Sequence, residues 1–260
     1  MNHFRITFMA LLLFNAAVHS AEFCVTNANE LRIALSTAAN NNQHDEIRIE
    51  MGDYETFGNP FSYQESQGYD LDISGGWVEF FGNDCGVQAP AAFLDTTLDG
   101  SGTDYVMILL LSGASDLSVS RLAFLNGNAP SGRGGGLHIQ RLGNANTGHV
   151  TVEQNEFFGN KAAWGSAMSI FSGERVDIRN NLVVNNEVTN QFAIEVVIGE
   201  AYGIFFNNNT VTGNFSTNSE DSGVYLAAGS GSGILVANNV LYQNMSKDLH
   251  ITGIEYESHV

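Results

Sequence analysis

The segment VTVEQNEFFGN, residues 150–160, decides the fold because close variants of it return three times further along the chain. The later copies read VDIRNNLVVNN, IFFNNNTVTGN and ILVANNVLYQN. Their first asparagines are Asn155, Asn181, Asn209 and Asn239, so the steps are 26, 28 and 30 residues, and another asparagine follows five places after each. A repeat of this length is typical of proteins built from stacked structural units.

Within each copy, apolar residues alternate with polar ones. Val150 and Val152 stand five and three places before Asn155, and the later copies repeat this spacing with valine, isoleucine or phenylalanine. A spacing of two is the period of a β-strand, whose side chains point alternately to opposite faces. The asparagine that interrupts the alternation therefore predicts a corner between two strands.

A second set of alternating segments lies between the copies and reads GGGLHIQRLG, GSAMSIFSG, FAIEVVIGE and SGVYLAAGS. Their apolar positions Leu137, Met168, Ile194 and Val224 can be placed in register. Short strands with almost no helical pattern exclude a helical solenoid, and the period is too short for a propeller blade. We therefore predict an all-β fold, a single-stranded parallel β-helix whose like strands stack about 4.8 Å apart.

The asparagines have a structural explanation in such a fold. Each corner residue lies directly above its equivalent in the neighbouring coil, so stacked amides can hydrogen-bond along the axis as a ladder. A buried amide without a partner costs about 1–3 kcal/mol, which requires an asparagine in every coil. We predict that Asn155, Asn181, Asn209 and Asn239 form this ladder and carry no chemistry.

The repeats also resemble those of a known family. FFGN at 157–160 and GGGL at 134–137 are similar to the FxxN and GGA-type repeats of polymorphic outer-membrane proteins, although later copies replace phenylalanine by Val183, Val211 and Leu241. The coils resemble right-handed parallel β-helix proteins of the pectin-lyase-like superfamily. Segments 24–55 and 72–102 look like the leading segments of bacterial secreted β-helix proteins. The resemblance implies a right-handed winding over residues 22 to about 250, but no single activity, since the superfamily contains lyases, hydrolases and adhesins.

The first twenty residues have the pattern of a signal peptide. A basic start is followed by ITFMALLLFNAAV and then by small residues around Ser20, where cleavage is expected. The apolar run is shorter than the roughly 20 residues that a spanning helix needs. We predict a signal peptide at 1–20, export to the periplasm, cell surface or medium, and no transmembrane segment. Residues 21–260 then form the β-helix domain, of which 21–50 are an N-terminal cap and the first strand.

The cap is expected to be a short amphipathic helix. Thr26 or Asn29 can begin it, and one face carries the apolar residues Leu31, Ala34, Leu35 and Ala38. Such a helix would cover the apolar interior at one end of the solenoid. The closing residues, 248–260, show no comparable pattern, so a partner is a candidate cover for the other end.

Cys24 and Cys85 are the only cysteines. In an exported protein such a pair favours one disulfide, with two buried free thiols as the alternative. The bridge would tie the cap to the first coils.

The charge pattern limits the partners. A net charge of −18 in 260 residues repels nucleic acid and anionic membranes.

The Asn-Thr-Asp, Gly-His-Gly and Arg-Ile-Lys motifs of pectinolytic hydrolases are absent, and basic residues are few. No histidine spacing predicts a metal site and no cofactor is expected; calcium would suit the charge, but no calcium motif occurs. Non-catalytic binding of glycans or surfaces is therefore favoured, and a polysaccharide lyase or glycoside hydrolase with an unfamiliar site is the alternative.

One row of residues is the candidate ligand site. If Leu137 and its equivalents face the interior, their next neighbours face solvent, one per coil. These neighbours are His138, Ser169, Glu195 and Tyr225. An imidazole, a hydroxyl, a carboxylate and an aromatic ring in one shallow groove could bind a sugar chain. The alternative is four unrelated surface residues.

Overall fold

The structure is a computed structural model that describes residues 20–90, 95–142, 148–173, 175–199, 202–218 and 220–253. These residues form a parallel β-solenoid with one short helix near the N terminus, which confirms the predicted fold class. The predicted signal peptide, apart from Ser20, lies outside the described residues and stays a prediction.

The strands are short and follow one another with brief connections. The helix α1 spans Ala28–Ala38. The first strands are β1 Ser20–Val25, β2 His44–Glu50, β3 Gly52–Glu55, β4 Phe61–Glu65, β5 Leu71–Phe80, β6 Asn83–Gln88, β7 Thr96–Asp99, β8 Met107–Leu111, β9 Leu117–Ser120, β10 Ala123–Leu125, β11 Asn128–Arg133, β12 Leu137–Arg141 and β13 Val150–Glu153. The later strands are β14 Glu156–Phe158, β15 Lys161–Trp164, β16 Met168–Ser172, β17 Val176–Arg179, β18 Leu182–Val184, β19 Glu187–Gln191, β20 Ile194–Ile198, β21 Gly203–Asn207, β22 Thr210–Thr212, β23 Phe215–Ser216, β24 Val224–Ala228, β25 Gly233–Ala237, β26 Val240–Tyr242 and β27 Leu249–Thr252.

These strands build the sides of the solenoid. The first sheet has the order β1-β2-β5-β9-β13-β17-β21-β25, with β6 paired antiparallel to β5. The second sheet runs β3-β7-β10-β14-β18-β22-β26, and the third runs β4-β8-β12-β16-β20-β24-β27. A shorter fourth sheet, β11-β15-β19-β23, lies between the second and third sheets along the chain. Apart from β5 with β6, every strand pair in the described residues is parallel, as winding in one direction requires.

The register agrees with the sequence repeat. Val150 pairs with Val176, Val176 with Ile204, and Ile204 with Ile234. Except at the last strands, the inward-facing side chains of these columns are almost completely buried, and they form one continuous apolar core along the axis. Like residues stack on like because each coil adds one strand to each sheet at the same position.

The corners explain why asparagines occur in pairs. Gln154, Asn180, Asn208 and Asn238, one place before the ladder positions, all have φ between 56° and 58°. Asparagine tolerates this left-handed conformation better than most residues with a side chain, so the chain can turn there between two sheets. The residue that follows then points its amide inward.

The inward amides form two hydrogen-bonded ladders. Asn155 donates to Asn181 at 3.2 Å, Asn181 to Asn209 at 3.0 Å, and Asn209 to Asn239 at 3.1 Å. A parallel ladder joins Asn160, Asn186, Asn214 and Asn244 and ends on the carboxylate of Asp248. Each amide nitrogen also donates to a strand carbonyl of the preceding coil.

The helix α1 covers the N-terminal end. Its apolar face is buried against the first strands, as predicted, through Leu31, Ala34, Leu35 and Ala38. The expected N-cap is wrong by a residue or two: Asn27 caps the helix, and its side chain accepts from the backbone N–H groups of Asn29 and Glu30. Thr26 instead donates to the Glu30 carboxylate, which lowers the pKa of Glu30.

The predicted disulfide is present. Cys24 in β1 is bonded to Cys85 in β6, with the two Cα atoms 5.6 Å apart. The bridge ties the edge strand of the first sheet to the antiparallel arm formed by β5 and β6, although the two residues are 61 positions apart in the chain.

Candidate functional site

The predicted ligand row has the expected register. His138 pairs with Ser169, Ser169 with Glu195, and Glu195 with Tyr225, on the successive strands β12, β16, β20 and β24 of the third sheet. The four side chains therefore form one column along the axis.

The expectation that this column faces solvent is wrong for its two central members. Ser169 is fully buried and Glu195 is 6% exposed. The guanidinium of Arg133, at the end of β11, forms an ion pair with Glu195, and Ser169 Oγ donates to the other carboxylate oxygen at 3.0 Å. The same guanidinium lies 4.6 Å from the centre of the Trp164 ring. A side chain from the neighbouring sheet thus covers the row.

The outer members of the row, His138 and Tyr225, are half-buried. Burial lowers the pKa of His138, although a contact with Gln140 and the charge of Glu195 act in the opposite direction. Tyr225 stacks on Phe192, with ring centres 5.1 Å apart. Glycan binding by this row stays a prediction, and it would require Arg133 to move aside.

A more open site lies on the outer face of the first sheet, which we call the acidic cleft. It has a volume of about 380 Å³ and crosses the strands β2, β5, β9 and β13. Its lining is rich in carboxylates and has two histidines but no lysine or arginine. The lining residues are Ser20, His44, Asp45, Glu46, Asp70, Leu71, Asp72, Asp116, Leu117, Ser118, His149 and Thr151.

Hydrogen bonds connect the residues at the strand starts across the cleft. His44 Nδ1 lies 2.9 Å from Asp70 Oδ2, while Asp70 Oδ1 accepts the backbone N–H of Asp116 at 2.8 Å. Asp116 Oδ1 in turn accepts the backbone N–H of His149 at 2.8 Å. The imidazole of His149 then contacts the carboxylate of Asp177, which is buried. Backbone bonds thus hold the carboxylates of Asp70 and Asp116 in neighbouring coils, with both oxygens of Asp70 and Oδ1 of Asp116 engaged.

Two carboxyl groups of the cleft lining, those of Asp45 and Asp72, have a raised pKa; Asp45 is buried, whereas the side chain of Asp72 is exposed. Asp72 lines the cleft, and partial desolvation by the surrounding protein raises its pKa. The negative charge of Glu46 in the neighbouring strand raises it further, while a hydrogen bond with Ser118 partly opposes the shift. A carboxyl group with a raised pKa keeps its proton to a higher pH than an ordinary aspartate and can act as a hydrogen-bond donor.

The acidic cleft was not predicted because most of its lining lies in the early coils, before the asparagine repeat that begins at Asn155. A local signal was present in the early coils, where DLDIS at 70–74 and DLSVS at 116–120 share the same pattern. The structure pairs Leu71 with Leu117 and Ile73 with Val119, so this pattern fixes the register of β5 and β9. Aligning the two segments would have placed Asp70 beside Asp116.

Within the described residues, one compact cluster of side chains has the residue types that can bind a metal ion. Among these residues, the only set of three cysteine, histidine or acidic side chains close enough to share an ion is Cys24, Glu50 and Cys85. Both sulfur atoms are committed to the disulfide, so they are not thiolate ligands. The Glu50 carboxylate accepts the backbone N–H of Cys85 at 2.8 Å.

Among the residues that the structure describes, no helix is both long enough and apolar enough to cross a bilayer.

The chain matches no protein-family model, and comparisons with curated proteins and with solved structures likewise find no match. The parallel β-solenoid is shown by the strand pairing alone, and the likeness to pectin-lyase-like proteins stays a prediction from the residues quoted above.

Proposed function

We propose that this chain is an exported solenoid that binds a glycan of neutral or amino sugars in the acidic cleft. The observation that carries the proposal is the open cleft of about 380 Å³, whose lining contains carboxylates and imidazoles from four successive coils. Four strands spaced about 4.8 Å apart span roughly 14 Å, which suits an extended chain better than a single small molecule.

The charge of the lining selects the ligand class. Sugar hydroxyls donate to carboxylates, and an amino sugar adds an ammonium group that a carboxylate accepts in a stronger, charge-assisted bond. Asp72 and Asp116 are the side chains in the cleft best placed for this role. A polyuronate would bring further negative charge to a cleft without lysine or arginine, in a chain of net charge −18. Such glycans are therefore expected to bind worst.

Hydrolysis of the bound glycan is a second candidate function, and the raised pKa of Asp72 favours it. A general acid in glycoside hydrolysis is a carboxyl group that keeps its proton near the working pH. Asp72 pairs with Ser118 on the neighbouring strand, and Asp116 comes two residues before Ser118. At ordinary strand spacing, the Cα atoms of Asp72 and Asp116 therefore lie about 8 Å apart. The two carboxyl groups that act together on a glycosidic bond lie about 5–9.5 Å apart, a separation that side chains on Cα atoms at this distance can adopt.

The test is a titration of the purified protein with soluble oligosaccharides of glucosamine, of a neutral glucan and of galacturonate, with new reducing ends assayed in parallel. The variants are Asp72→Asn and Asp116→Asn, which keep the shape and remove the charge. Asp53→Asn is the matched control, because Asp53 is exposed on the second sheet outside the cleft.

We expect the neutral or amino-sugar oligomer to bind, and each cleft variant to weaken binding by about tenfold, the effect of losing roughly 1.4 kcal/mol. The control should bind like the unaltered protein. New reducing ends that disappear in Asp72→Asn would establish hydrolysis. Failure of all three glycans to bind, or equal binding by every variant, would overturn the proposal.

A further inference from the structure

The two ends of the solenoid are covered differently. At the N-terminal end, α1 lies against the first strands with its apolar face buried. At the other end, β25, β26 and β27 are the last strands of their sheets, and no described strand pairs with them on the outer side. We call the surface formed by these three strands the terminal face.

Within the described residues, the terminal face leaves part of the apolar core uncovered. In the preceding coil, the inward-facing residues are fully buried, Ile204 and Phe206 among them. Their equivalents in β25, Ile234 and Val236, are only partly buried. The same holds for Leu241 in β26 and for Leu249 and Ile251 in β27.

Backbone hydrogen-bonding groups point out of the same face. In β25, the N–H of Gly233 donates to the preceding coil, and the C=O of Ala237 accepts from it. Since N–H and C=O groups alternate sides along a strand of a parallel sheet, those of Ile234 and Val236 are directed away from the solenoid. Such an edge is a template for pairing with another strand.

The terminal face is also neutral. The strand sequences GILVA, VLY and LHIT contain no aspartate, glutamate, lysine or arginine. In a chain of net charge −18, two copies repel one another over most surfaces, and this repulsion is weakest where both present uncharged strands. Exposed apolar side chains on the rim, Leu235 and Tyr242 among them, add to the area that association would bury.

We propose that the terminal faces of two copies of this chain pair with one another and form an end-to-end dimer. A two-fold axis across the solenoid brings the edge strands together in antiparallel orientation, so that their outward N–H and C=O groups can bond. At the far end of each solenoid, α1 buries its apolar face against the first strands, so the described residues offer no second apolar face of this kind to a third copy. The proposal does not depend on the glycan site.

The test is the molar mass of the full chain by light scattering after size exclusion, followed over a wide range of concentration. The protein is compared with Leu235→Asp and Tyr242→Asp, which place charge on the rim, and with Val236→Pro, which removes an outward N–H. Ile33→Asp is the matched control, because Ile33 is an exposed apolar residue on α1 at the opposite end. Circular dichroism checks that each variant keeps the fold.

We expect twice the chain mass for the protein and for the control. The rim variants and the proline variant should dissociate, with a dimer dissociation constant raised by about tenfold or more. A single-chain mass at every concentration would overturn the proposal. So would a dimer that survives the variants of the terminal face, or one that Ile33→Asp disrupts equally.

Discussion

Asn155 and Asn181, one coil apart, are joined by a hydrogen bond of 3.2 Å between Nδ2 of the first and Oδ1 of the second. The same Oδ1 accepts the backbone N–H of Asn155 at 3.0 Å. The Nδ2 of Asn181 donates to the carbonyl of Val152 at 2.9 Å and to Asn209 at 3.0 Å. One side chain thus pairs polar groups of three successive coils in a site without access to water.

Replacing Asn181 by alanine should therefore be costly. The change leaves the buried N–H of Asn155 and the carbonyl of Val152 without this partner, and we expect the free energy of unfolding to fall by about 3 kcal/mol. Urea denaturation followed by circular dichroism measures the change. Asn190→Ala, on an exposed position of β19, is the control and should shift stability by less than about 0.5 kcal/mol. Equal losses in the two variants would contradict the structural role of the ladder.

The ion pair of Arg133 with Glu195 gives a second prediction. Arg133→Met keeps much of the packing on Trp164 but leaves the buried carboxylate with Ser169 as its remaining side-chain partner. We expect a loss of about 3 kcal/mol at neutral pH, since an unpaired buried charge is strongly destabilising. Arg179→Met is the control: Arg179 pairs with Glu153 on a more exposed surface and should cost less than about 1 kcal/mol. Similar losses from both would show that Glu195 is better solvated than its burial indicates.

Reduction of the disulfide should loosen the N-terminal end. Cys24 and Cys85 close a loop with a sequence separation of 61, and the loss of the bond is expected to lower stability by about 2–4 kcal/mol. Thermal unfolding with and without a reductant measures the effect. The Cys24→Ala, Cys85→Ala double variant should melt like the reduced protein and should not respond to the reductant. A reductant effect that persists in this variant would have another cause.

His138 predicts a dependence of stability on pH. Burial lowers its pKa, so below its ordinary value of 6.5 the unfolded chain binds this proton more readily than the folded chain. The free energy of unfolding should therefore fall as the pH drops from 7 through 6. His138→Gln removes this contribution, and the difference between the two proteins isolates it from other titrating groups. Parallel stability curves for the protein and the variant over this range would contradict the assignment.

Particular elements show how far the sequence could be interpreted. The spacing of Asn155, Asn181, Asn209 and Asn239 predicted the register of the later coils, and the strand pairing agrees with it. The apolar face of α1 was predicted, but its N-cap was not, because Thr26, Asn27 and Asn29 are all capable caps and local pattern does not rank them.

The column on the third sheet shows where such interpretation stops. Its register was predicted, yet the solvent exposure of Ser169 and Glu195 was not. The residue that buries them, Arg133, comes from another sheet and stands 62 positions before Glu195 in the chain. The acidic cleft was missed for a related reason, since Asp70 and Asp116 meet only when coils outside the asparagine repeat are aligned.

The sequence by itself determined the winding of this protein: its strand periodicity, its repeat length and the asparagine corners all depend on residues close together in the chain, and stacking then carries each pattern to the next coil. Only the tertiary structure decided which outward-facing side chains stay open to water. Exposure depends on what neighbouring sheets contribute, as when Arg133 closes one row while the lining of the acidic cleft, around Asp72, has no such cover. A side chain's direction follows from local geometry, whereas its solvent access is set by packing between distant segments.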